Sequence, residues 1–193
     1  EQGSSSQGGG GDDSPATPFQ GIKEATSETW SSLIGDGKTV GVFLLDRYSE
    51  SFGSALKAAE LGAEQAVGRL GGRGAEAVGG FVWVDAPCQE EFARTLGVSD
   101  AAEVPVLVVF SPKHQKSARF VGAWEEDSLA SFLGKVLGGR APMFPAGDNA
   151  PSLEAIVCSE RAAPAWLAGG EGEEGEGSDM GDFMAEILAE EVR

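Results

Sequence analysis

The sequence predicts an α/β domain with a mixed central sheet flanked by helices, and three observations point there. Lys38 to Asp46 (KTVGVFLLD) and Gly80 to Asp85 (GFVWVD) are apolar runs rich in β-branched and aromatic residues, with a long segment of helical periodicity between them. A third apolar run, Pro105 to Ser111, opens on a proline and follows a short amphipathic helix. The turn-forming stretch Pro112-Lys113-His114-Gln115-Lys116 then separates it from a further strand, which is a hairpin pattern.

Taken in order, Phe19 to Ala25 reads as a short edge strand, and Thr26-Ser27-Glu28-Thr29-Trp30 carries the hydroxyl and acidic residues of a helix start. That helix is expected to stop at Gly35-Asp36-Gly37. Lys38 to Asp46 lacks polar alternation and suits a central parallel strand covered on both faces. Ser51 to Leu70 places Phe52, Leu56, Ala59, Ala63, Ala66 and Leu70 on one helical stripe, and Gly71 to Gly74 is expected to be a loop. After the strand Gly80 to Asp85, Gln89 to Leu96 makes a short helix with Phe92 and Leu96 inward, closed by Gly97. Pro105 to Ser111 pairs with Ala118 to Ala123. Glu125 to Leu137, acidic at its start and followed by Gly138-Gly139, is the last helix. The order is βαβαβαββα, and its strand-helix-strand units imply right-handed parallel crossovers.

Composition sets the limits around this domain. The chain has 193 residues, enough for one ordinary domain plus tails. Its 29 glycines exceed average usage of about 7% and gather at Gly8 to Gly11, Gly68 to Gly80 and Gly169 to Gly181. Residues 1–18 are Ser/Gly/Asp/Pro-rich and read as a disordered linker, too apolar-poor to offset ordering entropy. Residues 19–140 form the predicted domain, 141–170 an extended segment after it, and 171–193 an acidic tail. A net charge of −17 argues against nucleic acid as a partner, because that affinity rests on Lys and Arg displacing counterions. No stretch has the roughly 18 apolar residues of a membrane span. Starting at Glu1, the chain reads as a piece of something longer.

The segments GGFVWVDAPCQEEFARTLGV and VPVLVVFSPKHQKSARFVGAWEEDSLASFLGKVLGGRAPM, followed by a short apolar stretch and an acidic end, carry a resemblance. The element order and the proline-led strand resemble a thioredoxin-like fold. More narrowly, Phe19 to Val157 resembles the C-terminal, non-catalytic domain of the protein disulfide isomerase family A member 6 proteins. The resemblance implies a domain that binds unfolded clients or a partner chaperone during oxidative folding, in the lumen of the endoplasmic reticulum. It also implies a cis bond at Val104-Pro105 and a substrate groove beside it, with Tyr48, Val104 and Pro105 as candidate groove residues. The parent would be a protein disulfide isomerase whose catalytic domains lie upstream.

The residues themselves say less about chemistry. Where a catalytic thioredoxin carries its Cys-x-x-Cys pair, after the strand ending at Asp46, stands Arg47-Tyr48-Ser49-Glu50-Ser51, which cannot form a mixed disulfide. Catalysis by this chain alone is therefore not expected. Cys88 follows a strand near a helix start, where the dipole lowers a thiol pKa, so a regulatory thiol and a structural cysteine are both open. In an oxidising compartment, Cys88 and Cys158 could also pair and clip the post-domain segment to the domain. His114 reads as a solvated turn residue and not a metal ligand, Trp83 and Trp124 as core or domain edge, and Asp85 as a strand-end cap. No organic cofactor is implied. In the tail, Glu171, Glu173, Glu174, Glu176, Asp179 and Asp182 supply hard oxygen donors for weak calcium association, without EF-hand spacing. A solvated tail accounts for the same residues. Met180, Phe183, Met184, Ile187 and Leu188 have the spacing of a short amphipathic helix. A second functional class stays open beside client binding: a structural scaffold subunit of a larger assembly, docked by that helix.

Overall fold

The computed structural model describes residues 19–147 and 150–160. The predicted linker over 1–18 and the acidic tail, with its carboxylates and its helix, lie outside the described residues. Within them the elements follow the predicted order. A two-residue strand β1 (Lys23–Glu24) leads to α1 (Ser27–Gly35), where Thr26 and Thr29 close a reciprocal capping box. Then come β2 (Thr39–Leu45), α2 (Phe52–Glu76), β3 (Val78–Asp85), α3 (Glu90–Thr95), β4 (Val106–Ser111), β5 (Lys116–Arg119), α4 (Glu126–Leu137) and a short β6 (Phe144–Pro145).

Three local expectations are corrected. The predicted loop at Gly71 to Gly74 is the last part of α2, and the single residue Ala77 joins it to β3. A glycine costs about 1 kcal/mol in a helix interior, whereas extending a formed helix needs no new nucleus. The hairpin strand β5, expected over Ala118 to Ala123, spans Lys116–Arg119: Pro112–His114 forms a 3-10 turn and Gln115 takes the left-handed conformation (φ 48°), so pairing starts at Lys116, two residues earlier than expected. β4, expected from Pro105, starts at Val106, directly after Pro105, which has no N–H to give to the ladder.

The sheet has the order β1-β3-β2-β4-β5-β6. β3 runs parallel to both β1 and β2, and β4 is antiparallel to β2, so β2 is central with one parallel and one antiparallel neighbour. With helices on both faces, this is a thioredoxin-like fold. The alternation of β2 divides its side chains between two cores. Val40, Val42 and Leu44 pack with Trp30 and Phe92 beneath α1 and α3, whereas Phe43 and Leu45 pack beneath α2 and α4.

Helices α2 and α4 touch through small residues. A Cβ added at Gly62 would stand 2.8 Å from Leu129 Cβ and 3.0 Å from the Glu126 carbonyl oxygen. Overpacking of this kind costs about 1–3 kcal/mol, against a helix-propensity gain of up to about 1 kcal/mol. Gly62→Ala is therefore expected to destabilise the domain. Gly68→Ala, whose added Cβ meets nothing within 4 Å, should stabilise it, and urea midpoints of the two variants check the pair.

Beyond α4 the chain returns to the domain twice. β6 pairs with β5 at Ser117↔Phe144, and residues 150–157 run without regular structure to a 3-10 turn at Cys158–Glu160. Pro151, Leu153 and Cys158 are buried along that run, whereas Ser152 and Glu154 are exposed.

Candidate functional site

Three strand ends meet at one edge of the sheet. Leu45 pairs with Asp85, and Leu44 with Val106, so Asp46 to Ser51, Ala86 to Gln89, and Val104-Pro105 leave the sheet side by side. The sequence between Asp46 and α2 is a tight turn. Asp46 Oδ1 accepts from the Tyr48 N–H at 3.0 Å, the Asp46 carbonyl accepts from Ser49 N–H, and the Ser49 carbonyl accepts from Phe52 N–H. An aspartate that bonds the backbone two residues on stabilises such a turn. The Ser49 and Ser51 hydroxyls pair at 2.9 Å. Of the groove residues expected from the sequence, Tyr48, Val104 and Pro105 are all half-buried at this edge, and the Val104–Pro105 bond is cis.

The loop that delivers Pro105 is pinned by Glu103. Its carboxylate accepts from the Ser99 and Asp100 amides and from Arg119 Nη2 at 2.7 Å, while Arg119 Nη1 donates to the Gly97 carbonyl. The Arg119 hydrogen bond, then that from Ser99, holds the Glu103 carboxyl below its ordinary range. A carboxyl depressed in the folded chain adds stability above its unfolded value of about pH 4.3 and loses it as pH falls through the folded value. Glu103→Gln should therefore be less stable than the parent at pH 7 and converge on it as pH falls through the folded Glu103 value. A difference that persists unchanged into acid would assign it to something other than this charge.

A cluster that sequence reasoning missed lies next to the turn. The Arg47 guanidinium hydrogen-bonds Glu24, stands 3.6 Å from Asp85, and stacks over Trp83 with 5.0 Å to the ring centroid. The bond to Glu24, aided by both carboxylates against a smaller penalty from burial, raises the Arg47 pKa further above its ordinary value. Parallel pairing of Glu24 with Trp83 brings these four residues together, and no local periodicity reports it. Asp85, read as a strand-end cap, is instead a fully buried partner of Arg47. Its backbone carbonyl accepts from the Cys88 and Gln89 amides.

Cys88 and Cys158 are joined in a disulfide with their Cα atoms 5.8 Å apart, which takes up both cysteines of the chain. Asp85 offers an oxygen within 4.8 Å of both sulfurs, but sulfurs bonded to each other cannot act as thiolate ligands. His114 is exposed in the turn after β4, at the opposite end of that strand from Pro105, and has no share in this edge. Trp83 is buried, and half-buried Trp124 donates its indole N–H to the Ala55 carbonyl at 3.0 Å. The carboxylates from Glu171 to Asp182 lie outside the described residues. No helix among the described residues is long and apolar enough to cross a membrane.

No family model and no curated protein matches the chain. Similar solved structures include human ERp44 in a zinc-bound form (TM-score 0.48, 14% identity, 60% of this chain and 31% of that one). The J-Trx1 fragment of ERdj5 is another (TM-score 0.46, 15% identity, 60% of this chain and 49% of that one). A third is the first thioredoxin domain of mouse protein disulfide-isomerase A4 (TM-score 0.49, 14% identity, 76% of this chain and 98% of that one). The chain thus spans about a third of the ERp44 chain and half of the ERdj5 fragment.

Proposed function

We propose that this chain is a redox-inactive thioredoxin-like domain of a protein disulfide isomerase-type protein, and that the edge formed by Tyr48, Val104 and Pro105 binds unfolded clients or a partner chaperone. One observation carries the reading. The turn that enters α2 holds Arg47-Tyr48-Ser49-Glu50-Ser51 and no thiol, while the chain's two cysteines, Cys88 and Cys158, are bonded to each other. Without a thiolate at the helix start there is no nucleophile for disulfide exchange with a client. What remains at that edge is a half-buried aromatic and a proline-led strand end, the materials of a peptide contact. The sequence resemblance to the non-catalytic domain of family A member 6 proteins supports the same assignment. It also supports assigning the parent to the endoplasmic-reticulum lumen, an oxidising compartment in which such a disulfide would persist.

Insulin reduction and scrambled-ribonuclease refolding by the chain alone, beside titration with a reduced and carboxymethylated client, test the proposal. The expected result is no turnover, saturable client binding, and about tenfold weaker binding for Tyr48→Ala, the loss of an aromatic contact of roughly 1.4 kcal/mol. Turnover would overturn redox inactivity. Binding that Tyr48→Ala leaves untouched would remove the site from this edge. A chain without client affinity that stays in a large complex through purification would favour the scaffold reading.

A further inference from the structure

Residues 150–154 lie on the domain as a peptide lies in a binding groove. Their side chains alternate, with Pro151 and Leu153 buried and Ser152 and Glu154 in solvent, before a bend at Ala155 and the exposed Ile156 and Val157 lead to buried Cys158. Their main chain is read by side chains from two helical regions. Trp30 of α1 donates its indole N–H to the Pro151 carbonyl at 2.7 Å. Gln89, buried just before α3, pairs with the main chain at Glu154: its Nε2 donates to the Glu154 carbonyl at 3.1 Å, and its Oε1 accepts from the Glu154 N–H at 2.9 Å. Leu153 packs into the core that contains Trp30 and Phe92. Main-chain bonds for affinity and alternate side-chain pockets for selection are the means by which domains hold extended peptides.

The strap is also locked. Cys158, at its end, is bonded to Cys88, one residue before Gln89, so the covalent link and the paired amide are adjacent. Cys88 is half-buried and Cys158 buried, so Cys88 is the more exposed residue of the pair.

We propose that the surface between α1 and α3, lined by Trp30, Gln89 and Phe92, is a peptide-binding groove that residues 150–158 occupy as a built-in ligand while Cys88 and Cys158 are bonded. Its partner is an extended segment of another protein with a proline and an aliphatic residue two positions later. A dithiol reductant opens it. One thiolate attacks Cys88 Sγ, the Cys88–Cys158 bond breaks, and Cys158 leaves as a thiolate that takes a proton from water. The second thiol of the reductant then resolves the mixed disulfide and frees Cys88. Two electrons and two protons pass from the dithiol to the cystine. Held only by the contacts above, the strap then exchanges with a segment of the same pattern. This groove adjoins the Tyr48 and Pro105 edge, since Gln89 follows the strand end beside that turn and Val104 packs against the same core as Leu153, but it does not rest on the function proposed for that edge.

The test is fluorescence anisotropy of a labelled peptide with the sequence of residues 150–160, carrying serine in place of Cys158, titrated into the full chain with and without dithiothreitol. Far-UV circular dichroism follows the fold. The expected result is a folded reduced chain that binds the peptide at least about tenfold more tightly than the oxidised chain, because apparent affinity scales with the fraction of open groove. Leu153→Asp weakens the built-in competitor without touching the groove, and should tighten peptide binding to the reduced chain further. Gln89→Ala should abolish that gain. No binding to reduced Leu153→Asp would overturn the proposal, as would a reduced chain that unfolds as a whole. A reduced chain that dimerises and excludes the peptide would assign the groove to a second copy, and would overturn the foreign partner.

Discussion

Trp30→Ala is expected to lower the unfolding free energy by about 3–5 kcal/mol, the cost of removing a fully buried aromatic from a core that only partly collapses. Trp30 is 1% exposed, packs edge-on against Phe92 at 5.1 Å between ring centroids, and lies near Phe110 of β4. Its ring thus joins α1, α3 and the sheet, and its indole N–H holds Pro151. Trp30→Phe separates the two roles. It keeps most of the apolar volume but leaves the Pro151 carbonyl without its donor, so it should lose substantially less than the alanine variant. Urea denaturation of the oxidised chain measures both. Equal losses for the two variants would show that the hydrogen bond, and not the packing, dominates.

Replacing Cys88 and Cys158 together with alanine is expected to cost about 4 kcal/mol in the chain-entropy model. The bridge spans a sequence separation of 70 residues, and the enclosed chain contains α3, β4, β5, α4 and β6. Without the bridge the unfolded chain regains the freedom of that large loop, while the folded domain keeps both cores. Single-domain stabilities are typically about 5–15 kcal/mol, so the variant should still fold, with a clearly lower denaturant midpoint. A loss under about 1 kcal/mol would indicate that the unfolded chain retains structure across the loop, and that its closure entropy is not the source of stability.

Much of the fold was legible because it is written in local periodicity. The continuous apolar run of β2, the stripe of α2 and the acidic start of α4 each report the environment of one element, and each lies where its pattern put it. Capping at Thr26 and closure of α3 at Gly97 (φ 82°) are likewise local chemistry. Errors came where two local signals competed. At Gly71 to Gly74 composition favoured a loop, but the preceding helix continued through it. At the hairpin the charged turn was read correctly as a turn, yet its left-handed residue at Gln115 set the register of β5.

The candidate sites divide in the same way. That the turn before α2 has no thiol is a property of residues 47–51, and the sequence alone determined it. The charge of −17, the scarcity of cysteine and the continuous apolar run of β2 are equally properties of the chain as written. Only tertiary structure decided that Cys158 meets Cys88, that Gln89 pairs with Glu154, that Trp30 holds Pro151, and that Arg47 sits among Glu24, Trp83 and Asp85. Each of these contacts joins residues more than twenty positions apart. Side-chain periodicity encodes which face of an element is buried, but the identity of the distant partner follows from strand order, register and the path of the chain after α4.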